Sequence, residues 1–277
     1  MEEQTKYRYF IELAYKGTHF HGWQIQPNAV SVQEVLNKAL TTVLREEIET
    51  VGCGRTDTGV HATNFFAHFD TATEVKGQLL DVRSKKEESG LSSDETRKVI
   101  DSLRLVKAVN ALVGYDIAVK RFISVAPEAH ARFDAISRSY EYHVYFDKNP
   151  FKKEFGFLLN YNPNIVAMNK AAELIMTYTD FSCFSKSNTQ TFTNNCKITK
   201  AEWVKVDGGL VFHITADRFL RNMVRAIVGT LLQVGRGELS MDEVKQVLES
   251  KSRSQAGESV PAEGLFLTTI TYPYINN

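Results

Sequence analysis

Gly52-Cys53-Gly54-Arg55-Thr56-Asp57-Thr58-Gly59-Val60-His61-Ala62 is the stretch around which the rest of the chain is read. It lies between an apolar run and the aromatic-rich Phe65-Phe66-Ala67-His68-Phe69, and three glycines bracket one carboxylate. Glycine permits close backbone approach and positive φ, so the expected form is strand, sharp loop, strand, with Asp57 at the tip. Loops held between strands commonly carry chemistry. A surface turn whose Asp caps its own backbone fits the spacing equally well.

The 277 residues suffice for one large or two ordinary domains, and 43% hydrophobic with 24% charged residues is a globular composition. No apolar run approaches the roughly 20 residues needed to span a membrane. Met1-Glu2-Glu3-Gln4-Thr5 is acidic and polar, unlike a signal peptide. Cys53, Cys183 and Cys196 lie far apart, which argues against a disulfide framework or zinc site and suits a reducing cytoplasm. Lys+Arg and Asp+Glu both total 33. A polyanion partner would therefore need the positive charge collected on one face.

Alternation over Lys6–Ala14 predicts an opening strand, followed by the aromatic and amide-rich loop Tyr15–Gln24, which has groups suited to stacking and hydrogen bonding. His19 and His21 have no obvious third metal ligand. Ser31 and Glu34 fit a capping box opening a helix with Val32, Leu36, Ala39 and Leu40 inward, and a short strand is expected at Ile48–Val51. From about 74 to 104 the composition turns charged and polar, which reads as a solvated insertion. Asp94 is placed as cap of a helix carrying Val99, Leu103, Val106 and Val109.

Pro127 marks the expected boundary between an N-terminal part, 1–126, and a C-terminal part, 127–277. Beyond it, Arg138, Tyr140, Tyr142 and Val144 alternate on a strand, Asn164 caps a helix, and Asp207-Gly208-Gly209 turns a hairpin. A helix is expected from near Phe219 to Gly235, with Arg221 and Arg225 just off its apolar stripe. A partly buried Arg225 needs a partner, although long side chains also snorkel. Ser240 and Glu243 form a second capping box, and a strand through Leu265, Leu267 and Ile270 closes the chain. The class is α+β.

Asp57-Thr58-Gly59 spells an aspartic-protease signature, but that chemistry needs two carboxylates sharing a proton and no second such triplet occurs. A phosphate-cradling loop would need a Gly-Lys-Ser/Thr ending and a following helix, and both are missing. A single carboxylate acting on a bound base or sugar remains. Gly54-Arg55-Thr56-Asp57-Thr58-Gly59-Val60-His61-Ala62 closely resembles the signature of the tRNA pseudouridine synthases of the TruA family. Further blocks resemble that family in order: Tyr15–Gln24 with Ser31–Glu34, His130–Phe133 with Arg138–Tyr142, Phe219–Arg225 with Ile227–Thr230, and Ala262–Leu267. The likeness runs from about residue 6 to 272.

The resemblance implies isomerisation of uridine to pseudouridine in tRNA, in the anticodon stem-loop (positions 38–40 as implied by the family), with Asp57 as nucleophile and no cofactor or metal. It implies Arg225 as the ion-pair partner that keeps the carboxylate ionised where water is excluded. It implies Tyr140 as the ring lying against the target base, and Arg55 as the arginine holding RNA phosphate or a displaced base while the uridine is flipped out. A core tyrosine and a loop arginine paired to a neighbouring carboxylate are the plain alternatives. The resemblance also implies two mostly antiparallel mixed-sheet domains flanked by helices around a basic cleft, a homodimer sharing one tRNA, and a cytoplasmic location. A non-catalytic RNA-binding protein or tRNA chaperone on the same fold is the competing expectation. Departures are the 74–104 insertion, Asn64-Phe65 in place of a Gly-Gln pair, and Lys197 near an expected arginine.

Overall fold

The computed structural model describes residues 6–76, 99–186 and 192–275. The N-terminal half runs β1 (Tyr7–Tyr15), α1 (Val32–Leu44), β2 (Val51–Gly52), β3 (His61–Thr71), β4 (Glu74–Lys76), β5 (Val99–Asp101), α2 (Ser102–Asn110) and β6 (Ile117–Ser124). After it come β7 (Ser137–Tyr145), β8 (Phe157–Leu158), α3 (Ile165–Met176), β9 (Ile198–Val206), β10 (Gly209–Ala216), α4 (Met223–Arg236), α5 (Met241–Ser250) and β11 (Leu265–Thr271).

Nine of these strands form one sheet in the order β6-β1-β3-β11-β7-β10-β9, with β2 on β3 and β8 on β7. Its pairs are antiparallel except β11 with β3 and β7 with β8. The α+β class and the mostly antiparallel pairing are as expected. The halves join edge to edge, because β11 inserts between β3 and β7 and hydrogen-bonds to both. No open strand edge is left at the junction.

Two apolar clusters cover the sheet. One gathers α1 and α2 against β1, β3 and β6 through residues such as Leu36, Leu40, Leu105, Phe65 and Phe122. The other gathers α3, α4 and α5 against β7, β9 and β10 through Met168, Ile175, Ile227, Leu231 and Phe212. Each fully buried Leu or Ile contributes about 1.5–3 kcal/mol. β11 serves both clusters: Leu265 packs into the second, and Leu267 and Ile270 into the first. Ala129, Ala131 and Ala135, just past Pro127, pack into the first. Tyr140 is the one described residue packed against both.

Local chemistry explains most helix ends. Ser31 Oγ accepts from the Glu34 N–H, but the Glu34 carboxylate pairs with Lys38 at 2.9 Å, so only half of the expected box is made. Ser240 and Glu243 make both halves of theirs, and Asn164 caps α3. The helix assigned to Asp94 starts instead at Ser102, where the Asp101 side chain accepts from the Arg104 N–H. Val99 lies on β5, Leu103 is exposed, and Leu105 and Val109 are the buried positions. Asp94 and most of the 74–104 stretch lie outside the described residues.

The Phe219–Gly235 helix is also shifted. Asn222 takes a left-handed conformation at φ 66°, which breaks the chain between Phe219 and the helix, so α4 begins at Met223. It ends at Arg236, with Gly237 at φ 75° closing it. The shift takes Arg221 off the helix and leaves Arg225 in its first turn.

Candidate active site

The Asp57 loop joins β2 to β3 and is gripped from behind by the segment after β1. A side chain at Gly22 would put Cβ 2.2 Å from the Thr56 carbonyl oxygen, and one at Gly17 would put it 2.1 Å from that of Val60. These backbones therefore touch only because both positions are glycine. Tyr15 Oη and Thr56 Oγ1 share a buried hydrogen bond at 2.8 Å, and the Gly59 N–H donates to the Phe20 carbonyl. Trp23 is buried and stacks on Phe65 at 4.2 Å. The aromatics expected to be presented by the Tyr15–Gln24 loop thus face inward. Tyr15, Phe20 and Trp23 brace the loop from within.

Sheet register brings the other half to the same place. Leu267 of β11 lies opposite Ala62 of β3 on one side and Tyr140 of β7 on the other. Tyr140 therefore stands two strands from the end of the Asp57 loop. Ala216, the last residue of β10, pairs with Arg138, so the chain leaves the sheet beside this row and enters the turn holding Arg221.

Asp57 meets two cations. Its Oδ2 is 3.9 Å from an Nη of Arg225, and its Oδ1 is 3.7 Å from Nε of Arg221. These separations are ion-pair distances longer than hydrogen bonds. Among the described hydrogen bonds neither carboxylate oxygen is an acceptor. The lone pairs of a half-buried carboxylate are thus oriented by charge and left available for attack. Arg225 is held in turn: its Nε donates to the Val260 carbonyl at 2.7 Å, and the Val260 N–H donates to the Arg225 carbonyl. At Gly229, one turn further on, a Cβ would lie 1.8 Å from the Glu258 carbonyl oxygen. Residues 257–260 can lie against α4 only because that side chain is absent.

Tyr140 meets Phe219 edge to face at 5.1 Å. Burial, then the Cys53 thiol and the Asp57 charge, push its phenol well above the ordinary tyrosine range, with Arg138 opposing. The hydroxyl is therefore a neutral group at physiological pH. The Cys53 thiol, buried beneath, is pushed up to about 12 by desolvation and is not a nucleophile there.

Arg55 is exposed and forms no ion pair with a carboxylate among the described residues. It joins a cluster of positive charge instead. Burial lowers the pKa of Arg132, and the nearby charges of Arg55, Arg138 and Arg218 lower it further. Arg138 ties this corner together, donating to the carbonyls of Cys53 (3.1 Å), Arg132 (2.6 Å), Ala135 (2.9 Å) and Asp217 (2.8 Å). Arg236 lies apart from this cluster, at the far end of α4 over the Tyr161 ring at 4.3 Å.

Sequence reading named Asp57, Arg225, Tyr140 and Arg55 as site residues and did not anticipate the ion pair of Arg221 or the gathering of Arg132 with Arg138. The signal for Arg221 was its spacing from Arg225, read as a helix face. The break at Asn222 is what turns it toward Asp57.

The sequence pattern of the family described as tRNA pseudouridine synthase matches residues 171–273. A Bacteroides fragilis protein named tRNA pseudouridine synthase A is 47% identical over 96% of each chain. The Bacillus subtilis protein of that name is 36% identical over 94% of this chain and 97% of its own. With likeness of that depth along nearly its whole length, the chain belongs to the TruA family of tRNA pseudouridine synthases.

Proposed function

We propose that this protein isomerises uridine to pseudouridine in tRNA, with the anticodon stem-loop, positions 38–40, as target. The observation that carries the reading is a carboxylate flanked by two arginines, with no hydrogen bond to its oxygens among the described residues and a neutral tyrosine close by. Asp57 is the nucleophile. In the overall reaction the N1–C1′ bond of uridine breaks, the uracil turns within the site, a C5–C1′ bond forms, and the C5 proton is exchanged for one on N1. Arg225 pairs with the carboxylate and aims it as tRNA displaces water from it. The Tyr140 ring lies against the target base. Arg55 holds backbone phosphate or a displaced base while the uridine is turned out of its stack.

The proposed reaction takes no metal or organic cofactor, as the family resemblance implies. Two subdomains, 1–126 and 127–277, supply the Asp57 loop on one side and Tyr140 with Arg225 on the other. A homodimer in which one tRNA touches both protomers, working in the cytoplasm, completes the proposal. No helix among the described residues is long and apolar enough to cross a membrane. Incubation with an unmodified tRNA pool, followed by mapping of pseudouridine, tests the reading. Product that depends on Asp57 supports it. Tight binding with no product would leave only an RNA-binding or chaperone role.

A further inference from the structure

Of the fourteen glycines among the described residues, thirteen have a reason inside the protein. Five sit at φ between 66° and 82°, where side chains are strained. Eight more would carry a Cβ within 3.0 Å of another part of the chain. Gly54 alone has neither reason. Its φ lies outside the left-handed region, and a Cβ there would meet no atom within 4 Å. A glycine at such a position is a net cost, because alanine would restrict the unfolded chain without straining the folded one.

Gly54 is half-exposed, three residues before Asp57. The carbonyl that precedes it, Cys53, accepts from Arg138, and the residue that follows is the exposed Arg55. Arg132 and Arg218 stand close enough for the like charges to repel. Asp217, whose backbone carbonyl accepts from Arg138, has its carboxylate engaged by the backbone N–H groups of Lys197 and Arg218. Open space beside a bare backbone, next to crowded guanidinium groups, suits an anion that must come closer than a side chain would allow.

Resting on tRNA as the substrate, we propose that Gly54 is the close-approach point for the tRNA sugar–phosphate backbone. A phosphate lies there against the loop, within reach of Arg55 and Arg132. This makes Gly54 a positioning residue: it touches the strand and thereby sets where the target uridine stands relative to Asp57.

The test compares the full-length protein with Gly54→Ala and Gly54→Val by thermal melting and by binding of an unmodified tRNA transcript at several salt concentrations. Gly54→Ala should melt at the wild-type temperature or about 1–3 °C above it. Its Kd should rise by at least about fivefold, and further in Gly54→Val, with the slope of log K against log salt shallower by about 0.7–0.9. Wild-type affinity in Gly54→Val would overturn the proposal. Weaker binding with an unchanged salt slope would overturn it too, since the lost contact is then not a phosphate. A lowered melting temperature in Gly54→Ala would show an internal role instead. The reading beneath it fails separately: wild-type protein that binds tRNA but forms no pseudouridine would sink the enzymatic proposal while leaving the Gly54 measurement intact.

Discussion

Arg225→Ala removes the better-buried of the two cations facing Asp57. At 3.9 Å a pair of unit charges interacts by about 4 kcal/mol at an effective dielectric of about 20. Arg225 is 21% exposed and Asp57 28%, so water screens part of this, and Arg221 at 3.7 Å supplies part of what is lost. What remains, once tRNA covers the carboxylate and drives water from it, is about 2–3 kcal/mol. That corresponds to a fall of about 30- to 150-fold in kcat. Because Arg225 serves the carboxylate and the Val260 backbone, tRNA affinity should change by no more than about threefold. Loss of the bond to Val260 should cost about 1 kcal/mol, or about 2–4 °C in Tm. Single-turnover conversion of an unmodified transcript, a binding isotherm and a melt separate these effects, with Arg225→Lys restoring part of the charge. Unchanged turnover would refute the ion-pair reasoning. An affinity loss as large as the rate loss would reassign Arg225 to RNA binding.

Other expectations follow from the same contacts. Arg221→Ala, on a side chain 60% exposed, should cost at most about 1 kcal/mol, or about fivefold in kcat; a larger loss would make Arg221 the principal partner. Tyr140→Phe keeps the ring, so tRNA binding should hold while turnover falls by about tenfold or more; full activity would confine Tyr140 to stacking. Gly229→Ala pushes a Cβ into the Glu258 carbonyl and should destabilise by about 1–3 kcal/mol, lowering Tm by several degrees and activity with it; an unshifted melt would contradict the close packing of 257–260 on α4. Burial, then His130 and Arg8, bring the His68 pKa down to about 4. The unfolded chain therefore binds that proton first, and stability should be complete above about pH 6.5 and decline toward pH 4. Melting across that range should fall less steeply in His68→Gln, and equal slopes would remove His68 from the explanation.

Much of this was legible in the chain because local and tertiary signals agreed. Ser31, Asn164 and Ser240 carry their helix starts in their own side chains, and Asp207-Gly208-Gly209 carries its hairpin turn. The Asp57 loop was legible because its glycines have a local signature. Its partners were less so. That Tyr140 stands beside Asp57 follows from β11 pairing with both β3 and β7, a long-range register that no window of sequence contains. Arg221 was hidden by the left-handed Asn222, because apolar periodicity continues back through Leu220 while the backbone does not. Asp101 was passed over as a cap because the charged stretch before it offered Asp94 with an equally good polar context. Trp23 and Phe20 looked presentable in a glycine-rich loop. Their burial depends on Phe65 and the Asp57 loop lying above them, which composition does not encode.

Attack by Asp57 on a uridine in tRNA is tested by pseudouridine formation with wild-type protein and Asp57→Asn on the same unmodified transcript. The product is an isomer of equal mass, so it is read through its carbodiimide adduct. Wild type should form pseudouridine in the anticodon arm, and Asp57→Asn should form none while binding the transcript within about threefold of wild type. Pseudouridine formed by Asp57→Asn, or wild-type protein that binds and leaves every uridine unchanged, would contradict the account.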